Sequence, residues 1–286
     1  KEVKSSVWLD LIMININNNE MSFEKYIKPL NDRWSKFWLT KDRKLIRHSN
    51  DFGYFKLEAK CNWKFAIENY CESYHLPWVH PGLNSYSKIE DHYHIQGLPN
   101  RFAGQGTVVY NPRLKGKNKL PCFPNWPKNK ERIAEYVALF PNVMLGIHKD
   151  HYYAYWLEPI NHELTLEHME IYYVGEEAAN SEKYKSIREQ NYKQWHSIQS
   201  EDLSIIDKAI EDCKRTTLSK DSEFKIKNNS YEEIKLMEDK NIIKYILHRY
   251  KYEIFPDKKI LNKYPPLLQI EPSSVCNFRC VFCVMT

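Results

Sequence analysis

Hydrophobic and polar positions follow two different periods along the chain. Residues 106–110, 137–140, 143–147, 151–158 and 164–174 are apolar, aromatic runs with partial alternation, which predicts strands in series. Pro141-Asn142, Lys149-Asp150 and Pro159-Ile160-Asn161-His162 supply turn chemistry between them. A further strand is expected over residues 7–15. From 181 to 216 the pattern changes. Ile187, Trp195, Ile198, Leu203, Ile206 and Ile210 recur at roughly helical steps, predicting one long amphipathic helix. Strands in series closed by a long helix imply an α+β domain, with an antiparallel sheet curling around the helix and a pocket between them. Residues 111–132, rich in Pro, Asn, Lys and Gly, read as a mobile loop over that pocket. A helix is expected over 230–250, with Ser230 as N-cap and Glu233 completing a capping box, inside a charged linker spanning 217–265.

Composition narrows the class. The chain's 286 residues suffice for one sizeable core and a second unit. Its 42 basic residues against 37 acidic ones are interspersed, which argues against a nucleic-acid surface. No apolar run has the length needed to cross a membrane. The 7 cysteines are too few and too irregular for a secreted disulfide framework, so a reducing cytoplasm is expected.

The densest chemistry lies between residues 62 and 81. His75 and His80 stand five positions apart, with Glu72 before them and Pro77 between. A regular helix would hold two such side chains roughly 140° apart. Pro77 cannot continue a helix, so His75 is expected to end one while His80 curls back, letting both imidazoles face one point. Two imidazoles converging on a point suit a metal ion. His148 and His151 flank a turn and read as surface or pocket-rim groups. His92 and His94 alternate on an extended segment, facing solvent or a substrate channel.

In order, Asn62-Trp63-Lys64, Glu68-Asn69-Tyr70, Glu72-Ser73-Tyr74-His75 and His80-Pro81 resemble the catalytic domain of Rieske non-haem iron oxygenases, the alpha subunits of ring-hydroxylating and N-demethylating enzymes. The resemblance covers roughly residues 1–215. It implies a helix-grip (START-like) fold and Fe(II) held by His75, His80 and a distant aspartate, with positions left open for dioxygen. Gln199-Ser200-Glu201-Asp202 resembles the family's Glu-Asp pair, making Asp202 the expected third ligand, with Glu201 and Asp207 as fallbacks. Glu72, one helical turn before His75, matches the carboxylate that passes an electron from a neighbouring subunit's Rieske [2Fe–2S] cluster; its plainer role is to orient His75. Asn69 matches an asparagine near the iron, or is an ordinary packing residue. The family also implies a homotrimer and a reductase or ferredoxin that supplies electrons.

One departure stands out. No Cys-x-His, half of a Rieske ligand set, occurs in the chain. The sequence is therefore expected to begin after a missing N-terminal part, with a catalytic domain over 1–216. At the other end, Cys276, Cys280 and Cys283 form a Cys-x3-Cys-x2-Cys array that resembles the start of a radical SAM domain. That resemblance implies a [4Fe–4S] cluster chelating S-adenosylmethionine. A barrel of that kind needs on the order of 200 residues more, so residues 266–286 are expected to be a truncated start.

The sequence thus predicts an Fe(II)-dependent oxygenase acting on a small organic substrate, aromatic or quaternary ammonium, by hydroxylation or oxidative N-demethylation. Glutamate at position 72 leans toward quaternary ammonium relatives. Two other classes compete: a radical SAM enzyme with an N-terminal docking module, and a non-catalytic helix-grip carrier that binds no iron.

Overall fold

A computed structural model describes residues 3–217 apart from 16–20, 100, 113, 116–117 and 162, with side chains described as far as 203. The chain divides into two units, and the described elements up to Asp207 belong to the first. The helix expected over 230–250, the linker, and Cys276, Cys280 and Cys283 lie outside the described residues.

The first strand expectation is corrected. Residues 4–15 form a hairpin of β1 (Lys4–Trp8) and β2 (Leu11–Asn15), not one strand. Leu9 and Asp10 make its two-residue turn at φ 49° and 67°, the geometry that matches strand twist. Asp tolerates that region; Leu9 is held there by burying its side chain. The hairpin leads into α1 (Phe23–Trp34) and α2 (Thr40–Arg43).

Next come β3 (Ile46–His48), β4 (Tyr54–Ala59), α3 (Trp63–Cys71), α4 (Leu76–Val79) and α5 (Pro81–Asn84). A meander follows of β5 (His92–Leu98), β6 (Phe102–Thr107), β7 (Ala134–Leu139), β8 (Val143–Ile147), β9 (His151–Asn161) and β10 (Leu164–Val174), then α6 (Glu176–Asn180) and α7 (Lys185–Thr217). β5 to β10 pair in sequence order, and β3 and β4 lie end to end along the free edge of β10, giving an eight-stranded antiparallel sheet. The sheet-rich antiparallel α+β expectation is borne out. β9 runs on through the expected turn at 159–161, with Pro159 accommodated at a register shift opposite Thr165.

Both faces of the sheet are covered. Along β9, Tyr153, Tyr155 and Leu157 join one core cluster while Tyr152, Ala154 and Trp156 join the other. The first cluster includes Ile67 of α3 and Trp195 and Ile198 of α7. The second includes Ile27, Leu30 and Trp34 of α1, each contributing about 2 kcal/mol by burial. A sheet buried on both faces needs no polar side, which explains why its strands alternate only partially in sequence. Glu135, fully buried on β7, ties α1 to the sheet by accepting from Arg33, Trp34, Lys36 and Tyr93.

The 111–132 segment is anchored more firmly than a free lid would be. Phe123 meets Trp38 edge-on at 5.0 Å and Trp126 stacks on Phe37 at 4.9 Å. Asn125 donates to the buried Asp42 carboxylate. Three aromatic or amide anchors placed mid-loop are hidden from a composition-based reading.

The long helix starts four residues later than expected, at Lys185, after α6 and a tight turn over Glu182–Tyr184. Its inward stripe comprises Arg188, Asn191, Trp195, Ile198 and, one step further, Asp202. Two of these are buried polar residues. Arg188 donates to the carbonyls of Ala178 and Ser181, and Asn191 donates to Tyr173. This stripe brings Asp202 to the first core face, above α3 and α4.

Candidate metal centre

Asn62 starts α3 by accepting from the backbone N–H of Lys64 at 3.1 Å. The helix ends at Cys71, earlier than the sequence predicts. Gln105 on β6 reaches its last turn, donating to the carbonyls of Tyr70 and Glu72 at 3.2 and 2.6 Å. Glu72 is then extended, at φ −115° and ψ 158°. It does not share a helix face with His75; its carboxylate folds back instead. It accepts from the backbone N–H groups of Tyr74 and His75 and meets His75 Nδ1.

Pro77 also acts differently from expectation. It opens the short α4 rather than closing a longer helix, with His75 as its N-cap and His80 as its C-cap. His80 takes φ −119° and ψ 60°, and Pro81 begins the next short helix. Breaking the chain at both histidines removes the divergence of a regular i, i+5 pair. The two rings stand 5.1 Å apart at 73°.

Asp202 comes in from α7. Its Oδ1 lies 2.9 Å from His80 Nε2 and 3.6 Å from His75 Nε2. Each of the three residues His75, His80 and Asp202 offers one ligand atom within 4.8 Å of the others. The opposite ring nitrogens face carboxylates: His75 Nδ1 faces Glu72, and His80 Nδ1 lies 2.8 Å from Glu201. Glu201 therefore stands behind His80 rather than beside Asp202 as a ligand. Asp207 has no described side chain.

The donor set suits a metal. Metal–nitrogen bonds of about 2.1 Å at right angles put neighbouring ligand atoms about 3 Å apart, close to the separations from Asp202. Carboxylates behind both imidazoles fix the tautomer that leaves Nε2 free for an ion. Burial lowers the proton affinity of His80, but its contacts with Asp202 and Glu201 more than reverse this, leaving its pKa raised.

The other candidates fall elsewhere. Asn69 is half-buried on α3 and is not a hydrogen-bond partner of the triad among the described residues. His94 is exposed, whereas His92 is half-buried and contacts Ser87 at 3.0 Å and Gln105 at 2.9 Å. His92 thus braces the glutamine that ends α3. His148 and His151 are not at the surface or a rim: they are 1% and 3% exposed, stacked at 4.1 Å. Trp195 Nε1 donates to His151 Nε2 at 3.1 Å, and Asp150 meets the other nitrogen at 2.7 Å. Turn-like sequence around Lys149-Asp150 concealed a core-facing pair.

Sequence reasoning missed Tyr153, Tyr155 and Glu167 on the same face. Tyr153 lies across Gly146, where a Cβ would approach its ring to 2.2 Å. That close passage lets its hydroxyl meet Tyr70 at 3.0 Å. Glu167 on β10 accepts from Tyr155 and is 4% exposed. Burial, eased by the Tyr155 hydrogen bond and reinforced by the charge of Asp202, lifts the Glu167 carboxyl to about 7. In sequence, Glu167 shares the parity of Met169 and Ile171, which was its one signal.

Comparison with known proteins places this geometry in a family. Residues 46–226 match the ring hydroxylating alpha subunit (catalytic domain). The chain belongs to that family of Rieske-type non-haem iron oxygenases. It is 23% identical over 220 residues to the carnitine monooxygenase oxygenase subunit of Acinetobacter pittii (strain PHEA-2), covering 72% of this chain and 51% of that protein. The same identity holds over 131 residues with the Escherichia coli (strain K12) carnitine monooxygenase oxygenase subunit, covering 45% of this chain and 32% of that one. The chain thus spans about half the length of the first curated relatives it matches. Its fold is similar to that of the quaternary ammonium Rieske monooxygenase CntA. With L-carnitine bound, that structure aligns at TM-score 0.53 and 20% identity, covering 76% of this chain and 51% of the other. A second structure of a quaternary ammonium Rieske monooxygenase aligns at TM-score 0.54 and 19% identity, with 71% and 50% covered.

Proposed function

We propose that His75, His80 and Asp202 hold a mononuclear ferrous ion, and that the parent protein uses it to oxidise a small quaternary ammonium compound, by hydroxylation or oxidative N-demethylation. Iron bound there would supply activation of dioxygen with electrons from a Rieske [2Fe–2S] centre. The carrying observation is the convergence of three ligand atoms from α4 and α7 within 4.8 Å. The family membership supports the iron, and the carnitine-oxidising relatives favour an ammonium substrate over an aromatic one.

This chain's own residues have distinct parts in that scheme. Glu72 and Glu201 orient the two imidazoles from behind. In this reading Glu72 would also pass an electron arriving from a neighbouring subunit of a homotrimer, itself fed by a reductase or ferredoxin. Trp195, Tyr153 and the sheet exclude water from the inner side. A helix-grip arrangement, with α7 held by the curved sheet, provides the floor. The cysteines at 276, 280 and 283 carry no part of this proposal.

Anaerobic Fe(II) titration of the chain, with His80→Ala as control, tests the reading. Wild type should take up one ferrous ion that the variant does not. Equal uptake by both would end it.

A further inference from the structure

Glu167 is a buried carboxylate that, among the described residues, has no cation beside it. Among the described residues no lysine, arginine or histidine pairs with it; its hydrogen-bond partner is the Tyr155 hydroxyl. The other fully buried glutamate, Glu135, is met by Arg33 and Lys36. A carboxylate taken from water into an apolar face is unfavourable unless paired, and natural chains rarely keep one without a reason.

Its surroundings define what would suit it. On the sheet, Glu167 pairs in register with Leu57 of β4 and Leu157 of β10's other neighbour, β9. Directly opposed residues share a face, so two leucines flank the carboxylate. Phe55 and Met169 lie one pleat along on that face. The same face carries the cluster that packs α7, and the charge of Asp202 is felt at Glu167. A primary ammonium or guanidinium would need several acceptors here, where one carboxylate already holds a tyrosine hydroxyl. A methylated ammonium needs none: its methyl groups suit the leucines, its charge suits the carboxylate, and aromatic faces add to the attraction.

We propose that Glu167 is the counter-ion for the substrate's methylated ammonium group, binding it on the inner face of the sheet beside the metal triad. The proposal rests on the oxygenase reading and names the residue that selects the charge. Tyr155 holds the carboxylate in place and, before the cation arrives, shares its proton. Tyr155 of β9 and Asp202 of α7 bear on Glu167, and His196 of α7 lies on Phe55 on the same face at 5.1 Å; β4 contributes apolar side chains to that face.

The test compares choline with its uncharged isostere 3,3-dimethylbutan-1-ol, by calorimetry on the Fe(II)-loaded chain. Wild type should bind choline at least about tenfold more tightly than the isostere, the scale of a desolvated cation contact. Glu167→Gln should abolish that preference and leave the isostere unchanged. Choline binding near pH 7 should also release about half a proton per ligand in wild type and none in the variant, read by repeating the titration in buffers of different ionisation enthalpy. Iron uptake measured on both proteins keeps the two readings apart. If wild type takes up iron yet does not prefer choline, the counter-ion role is overturned and the iron site stands. If Glu167→Gln weakens both ligands equally, Glu167 is a packing residue and the proposal fails. If neither protein takes up iron, the oxygenase reading fails, while the choline preference still decides Glu167.

Discussion

Trp195 and Asp202 stand one heptad apart on the inward stripe of α7, the first donating to His151 Nε2 and the second meeting both His75 and His80. The indole therefore fixes the rotation of the helix that presents the aspartate. Trp195→Phe keeps most of the apolar volume but leaves a buried ring nitrogen without its donor. It should lower stability by about 1–3 kcal/mol in urea unfolding. A change below a few tenths would mean that His151 finds another partner.

Glu201 supports His80 from the side away from the triad, at 2.8 Å. Outer carboxylates of this kind commonly carry 10- to 100-fold in metal affinity, so Glu201→Ala should weaken Fe(II) binding by about that factor. Glu201→Gln still accepts from Nδ1–H and should fall between. Anaerobic titration of the three proteins measures the order. If Glu201→Ala binds iron as wild type does, His80 is oriented by packing alone.

Much of this was legible before the structure. The strands at 143–147 and 164–174 match β8 and β10, because short turns and β-branched or aromatic runs mark them locally. That His75, His80 and Asp202 come together was expected from the family resemblance, since the two histidines and the Glu201-Asp202 pair each match a stretch of its motif. What failed depends on distant partners. Glu72 leaves the helix because Gln105, 33 positions away, ends it. His148 and His151 read as turn residues and are buried because α7 lays Trp195 over them. The hairpin at Leu9-Asp10 lacks the glycine or asparagine that announces such a turn.

Glu135 anchors α1 against the sheet through a network of partly exposed cations and buried rings. Removing the carboxylate strands Trp34 Nε1, which is buried, while Arg33 and Lys36 can turn to water. Glu135→Ala should therefore cost about 3 kcal/mol, the low end for a broken buried pair. Thermal unfolding with unchanged iron uptake would place the loss in the scaffold and not in the site.

Two buried groups give the stability profile opposing slopes. Glu167 has its pKa raised from 4.5 to about 7, chiefly by burial. The folded chain then keeps a proton that the unfolded chain has already lost. Its contribution is fully present below 4.5 and disappears as pH rises through about 7, by about 3 kcal/mol at most. His148 runs the other way. Burial first, then the neighbouring His151, holds its pKa well below 6.5, so the folded ring stays neutral while the unfolded one charges. Stability from His148 is present above 6.5 and is lost as pH falls below it. Melting curves from pH 5 to 8 separate the two. Glu167→Gln should lessen the decline toward neutral pH, and His148→Phe should lessen the decline toward acid; the raised His80 and lowered His92 keep the remainder. A Glu167→Gln profile that still falls between pH 5 and 7 as steeply as wild type would show that Glu167 is ionised throughout that range.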